Sequence, residues 1–107
     1  MIRLIEKITV TDVQDRDYSM ALDLIPASGT CLISEQEDEG GRFERIELSF
    51  RTGQPGSLDD WWRRDLILDV TFSDGSAETI GTDSVPARLN TSKSSVFDVS
   101  CEYIRPL

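Results

Sequence analysis

The sequence predicts a mainly all-β fold: an antiparallel β-sandwich or Greek-key barrel of about seven strands, with one short helix near residues 57–65. Three observations point there. Apolar and polar residues alternate with period two in seven separate runs, turn residues punctuate those runs, and a single short segment carries helix-start signals. A chain of 107 residues with 38% hydrophobic content suits one domain, 1–107, around a single core.

The first run places Ile2, Leu4, Ile8 and Val10 on one face and Arg3, Lys7, Thr9 and Thr11 on the other, the pattern of a half-buried strand. After the polar turn Asp12 to Asp17, a second strand sets Tyr18, Met20, Leu22 and Leu24 on one side and stops at Pro26. Pro26-Ala27-Ser28-Gly29 carries turn chemistry, and a third strand runs from Thr30 to Glu35 before a loop from Gln36 to Gly41. From Arg42 the alternation returns, with Ile46, Leu48 and Phe50 on one face. Its strictness outweighs the helix propensity of the Glu and Arg residues nearby. Strands three and four therefore form a hairpin with an acidic tip.

Ser57 and Asp60 match a capping box, in which a hydroxyl and a carboxylate satisfy orphan amides at a helix start. Asp59 and Asp60 in the first turn and Arg63 and Arg64 in the last have the signs that the helix dipole favours. Leu66, Leu68, Val70 and Phe72 then share the face of a fifth strand. Asp74-Gly75 reads as a two-residue hairpin turn, and the chain returns through Ser76 to Thr82. Residues 83–95, with Pro86 and few apolar anchors, read as a long crossover. A last strand sets Phe97, Val99, Cys101 and Tyr103 on one face and ends at Pro106.

Composition narrows the chemistry. With no histidine, imidazole triads, imidazole metal sites and the commonest general base are all missing. Paired acids that cleave glycosides need a deep cleft, for which so small a domain has little room. We expect no enzyme and no cofactor. Asp12, Asp15 and Asp17 crowd one loop, but the glycine and distal glutamate of a calcium loop are missing and Arg16 intervenes, so a solvated turn is the better reading and no metal site is expected. Cys31 and Cys101 form no CxxC motif and read as buried thiols; a disulfide would require their strands to be neighbours.

The formal charge of −9 and a pI near 4.3 oppose direct nucleic-acid binding and docking on anionic membranes, and they favour a basic protein partner. The opening residues contain no long uncharged run, so neither a signal peptide nor a membrane span is expected, which places the protein in the cytoplasm. Candidate partner-binding residues are Glu35, Glu37, Asp38 and Glu39 at the acidic tip, together with Trp61, Trp62 and Arg63, because Trp and Arg dominate interface hot spots. The expected function is a non-enzymatic acidic binding protein that neutralises a basic partner, as an immunity protein or phage-type inhibitor of a nucleic-acid-binding effector does. One alternative is a carbohydrate or small-ligand module, with or without calcium. Another is a structural subunit that assembles through strand edges. Oligomeric state is left open.

Overall fold

The computed structural model describes residues 2–53, 64–91 and 97–107, and these residues form strands and no helix. The strands are β1 (Ile2–Asp12), β2 (Ser19–Ala21), β3 (Gly29–Asp38), β4 (Gly41–Arg51), β5 (Leu66–Phe72), β6 (Ala77–Ile80), β7 (Asn90–Thr91) and β8 (Asp98–Pro106). They build one antiparallel sheet in the order β6-β5-β1-β3-β4-β8-β7, with β2 added to β1, curled into a half-barrel. The all-β antiparallel expectation holds.

The curl wraps the sheet around the apolar face that the alternation marks. Ile46, Leu48 and Phe50 of β4, all four of Leu66, Leu68, Val70 and Phe72 of β5, and Val99, Cys101 and Tyr103 of β8 are buried in it. At about 25 cal/mol per Å² of apolar surface, each such large side chain contributes roughly 1.5–3 kcal/mol when fully buried.

In β1 the structure corrects the expected phase. Ile8 and Val10 are buried as expected, but Ile2 and Leu4 are 67% and 52% exposed and Ile5 is buried instead. The pairing of β1 with β5 slips between Ile5 and Lys7, and this bulge exchanges inside for outside.

Other elements differ in extent. The expected second strand shortens to β2, with Leu22 buried and Leu24 held by a single bridge to Thr52. β3 runs on to Asp38, so most of the expected Gln36–Gly41 loop is paired strand. The turn after β5 has three residues and not two. Phe72 N–H donates to Ser76 O at 2.8 Å and Gly75 N–H to Phe72 O at 2.9 Å, with Gly75 at φ 88°. The expected helix and its capping box fall on residues 54–63, outside the described residues, apart from its last two positions; Arg64 and Asp65 are not helical.

Residues 77–91 serve both ends of the sheet, where a plain crossover was expected for 83–95. β6 pairs with β5, Ala87 bridges back to Leu66, and β7 then pairs with β8. Ala87 and Leu89 cap the core in passing. This path requires Gly81, at φ 98°, because a Cβ there would lie 2.7 Å from Leu66 O and 2.9 Å from Ala87 N. Further along the seam, side chains make the closure: Arg105 of β8 reaches Glu78 of β6 at 2.9 Å.

Candidate functional site

The β3–β4 hairpin is the most acidic element of the described chain, and its geometry follows from unequal pairing. β1 covers β3 only from Gly29 to Leu32, whereas β4 pairs with β3 as far as Asp38–Gly41 and β8 follows β4 as far as Phe43–Pro106. From Ile33 outward, the free edge of β3 has no partner strand among the described residues. Residues 35–45 carry five acids against two arginines.

The strand alternation sorts those charges. Glu35, Glu37, Arg42 and Glu44 continue the inner face beyond Ile33 and Ile46, and Asp38 and Phe43 belong to the outer face. Glu35 lies directly opposite Glu44, a like-charge pair that would repel. Arginines relieve it from both sides. Arg42 Nη2 donates to Glu35 Oε2 at 3.1 Å, and Arg105 grips Glu44 Oε2 through Nη2 at 2.5 Å and Nε at 3.1 Å. The bond to Glu44 raises the pKa of Arg105 above its ordinary value, and Glu78 adds to the effect against the opposing pull of burial.

Among the described residues, Glu37, Asp38 and Glu39 have no ion-pair partner. Asp38 is held locally: its Oδ1 accepts the Gly40 N–H at 2.7 Å, which secures the two-residue tip Glu39-Gly40. The acids thus stand on a paired ribbon where a loose loop was expected.

Trp61, Trp62 and Arg63 lie outside the described residues. Of the described residues that flank them, Gly53 lies beyond the end of β4 opposite the acidic tip, roughly 30 Å away for a strand of this length at ~3.3 Å per residue, and Arg64 lies at the Asp12 end of β1. At that end Arg64 donates to Asp12 Oδ2 at 2.6 Å and lies over the Tyr18 ring at 4.0 Å. Asp12 is buried, and its Oδ1 accepts the N–H groups of Gln14 (2.7 Å) and Asp15 (3.3 Å). The hydrogen bond from Arg64 lowers the Asp12 pKa; burial opposes it and the two amides assist it. Arg16 pairs with Asp83 across the surface. The Asp12–Asp17 stretch is therefore a turn organised by Asp12, and among the described residues no three acids or cysteines come together in a way that could hold a metal.

Cys31 and Cys101 are buried free thiols. Leu48 of β4 stands between them in register, which puts them two strand spacings apart, roughly 9–10 Å and beyond disulfide reach. Burial pushes the Cys101 thiol up to about 11 and also raises that of Cys31, so neither is a nucleophile at neutral pH.

Sequence reasoning passed over a small apolar outcrop beside the acids. Phe43 and Ile104 lie out of phase with the buried residues of their own strands, and together with Pro106 they line a shallow groove with Asp38, Gly40 and Gly41. The signal was available as two apolar residues on polar-phase positions. Among the described residues, no helix is long and apolar enough to cross a membrane. Scans against protein-family models, curated proteins and solved structures find no match to this chain.

Proposed function

We propose that this protein is a non-enzymatic acidic binding protein that occupies a basic surface of a protein partner with the free end of its β3–β4 hairpin. An immunity protein or a phage-type inhibitor of a nucleic-acid-binding effector would act in this way. The observation that carries the reading is the set of adjacent carboxylates, Glu37, Asp38 and Glu39, that form no ion pair among the described residues, on a ribbon that runs on beyond the part of β3 covered by β1, in a chain with net charge −9. Like charges held together repel one another, and a partner that supplies Lys or Arg relieves that repulsion. The paired strand beneath lowers the ordering cost of binding compared with a mobile loop.

Capture from host lysate with wild type and with a variant carrying Glu37→Ser, Asp38→Ser and Glu39→Ser tests the reading. The association rate of any retained protein is then followed against ionic strength. A basic protein should be retained by wild type alone, and its association should slow steeply as the Debye length shrinks to ~10 Å at 0.1 M salt. Retention by both forms, or a rate indifferent to salt, would remove the hairpin from the function.

A further inference from the structure

The outer face of the hairpin offers more than charge. Phe43, Ile104 and Pro106 form the apolar floor of a shallow groove of about 310 Å³, with Asp38 on its rim and Glu39 at the adjoining tip. Ile104 is 52% exposed in the middle of a face that otherwise presents Arg45, Glu47 and Glu102. The cations nearby are already engaged. Arg45 lies between Glu47 (3.3 Å) and Glu102 (3.0 Å), and Arg42, which also lines the groove, is paired with Glu35 at 3.1 Å. An occupant of the groove therefore meets apolar carbon beside Asp38 and Glu39, which have no ion pair among the described residues, and an arginine already paired with Glu35.

We infer that this groove seats an apolar side chain of a basic, extended segment of the partner, whose flanking lysines or arginines reach Asp38 and Glu39. The inference rests on the proposed binding role of the hairpin and names the partner chemistry it selects. Charge complementarity decides the occupant. A second copy of this chain would bring another −9 to the same acids, whereas a basic segment removes the repulsion while the long stems of Lys or Arg cover the rest of the floor. Charge supplies the encounter and the apolar floor supplies selectivity among basic partners, because burial rewards only a segment that carries an apolar residue in the right place.

Two blocked pentapeptides of equal charge separate the contributions: Lys-Lys-Leu-Lys-Lys and Lys-Lys-Ser-Lys-Lys, each titrated into the whole protein and followed by amide chemical shifts. The leucine peptide should bind about tenfold more tightly, as burial of one such side chain implies, and should shift the amides of Phe43 and Ile104. Ile104→Ser should abolish the difference between the peptides while leaving the serine peptide unaffected. Ile2→Ser, at another exposed apolar position elsewhere on the outer face, should preserve it. Equal binding of both peptides to wild type overturns the groove and leaves the acidic role standing. Failure of both peptides to bind at low salt overturns the groove and the acidic role together. Concentration-dependent dimerisation that Ile104→Ser abolishes would identify the occupant as a second copy and overturn the inference.

Discussion

Asp12 shows how one buried carboxylate organises its surroundings. It closes the turn after β1 through two backbone amides and fastens Arg64, at the edge of the described chain, to the sheet. Because its folded pKa is depressed, its stabilisation is fully present above the unfolded value near ~4 and is lost as pH falls through the folded value. Asp12→Asn should cost about 1.5–3 kcal/mol at neutral pH, the range for a hydrogen bond to a charged group. In urea titrations the gap from wild type should narrow at pH 3 and below; a gap of constant size would show that charge is not the cause. The aspartate itself was visible in the sequence as a turn residue, but its partner was not, since Arg64 is 52 positions away. Gly81 was likewise unremarkable as a letter. Gly81→Ala should destabilise by at least about 1–2 kcal/mol, because a Cβ in the left-handed region is strained even before it meets the backbone of Leu66 and Ala87. Thermal unfolding monitored by circular dichroism measures this, and an unchanged midpoint would mean that the 77–91 path can shift.

At the scale of elements, alternation was legible wherever a strand buries one face along its whole length, as in β4, β5 and β8. It misled in β1 because Leu4 and Ile5 are adjacent and both apolar, so the pattern admits either phase. Ile5 wins because Gly29, its partner on β3, has no side chain and leaves Ile5 room to pack; a Cβ there would lie 3.0 Å from that of Ile5. The turn before β3 shows the reverse case, a local sequence at odds with its backbone. Ser28 N–H donates to Ile25 O at 3.2 Å across Pro26 and Ala27, and Ala27 sits at φ 62°, where a glycine is preferred. Ala27→Gly should therefore stabilise the protein, by up to about 1 kcal/mol once the greater freedom of the unfolded chain is subtracted from the relieved strain. A lower midpoint in urea would show that the turn carries no strain. The acidic hairpin was legible as a hairpin but its length was not, because Glu35 and Glu44 can face each other in a ladder only when Arg42 and Arg105 pair with them.

For the whole molecule, closure and charge matter most. The two ends of the sheet meet through Ala87 and β7 on one side of the seam and through Arg105 between Glu44 and Glu78 on the other. A chain with net charge −9 repels itself when folded, so raising sodium chloride from 10 to about 150 mM, which shortens the Debye length from ~30 to ~8 Å, should raise the melting temperature. A falling midpoint would show that the exposed ion pairs outweigh the repulsion. Buried thiols give a second global readout. Iodoacetamide at pH 8 should label Cys31 and Cys101 only at the rate of unfolding, without prior reduction, since the pair is unlinked and protonated. Fast labelling of the native protein would contradict the packing around β4.

The sequence by itself determined that the described residues form antiparallel strands, which faces of β4, β5 and β8 turn inward, that the cysteines are buried, and that carboxylates crowd one hairpin. Each of these depends on composition or on a period of two residues, which are local properties. Tertiary structure alone decided the phase of β1, the shared path of residues 77–91, the arginine relief of Glu35 and Glu44, and the meeting of Phe43 with Ile104 beside Asp38. Apart from the Arg42–Glu35 pair, seven positions apart within one hairpin, those depend on which distant strands become neighbours, as with Arg105 and Glu44 at 61 positions, about which a local pattern carries no information.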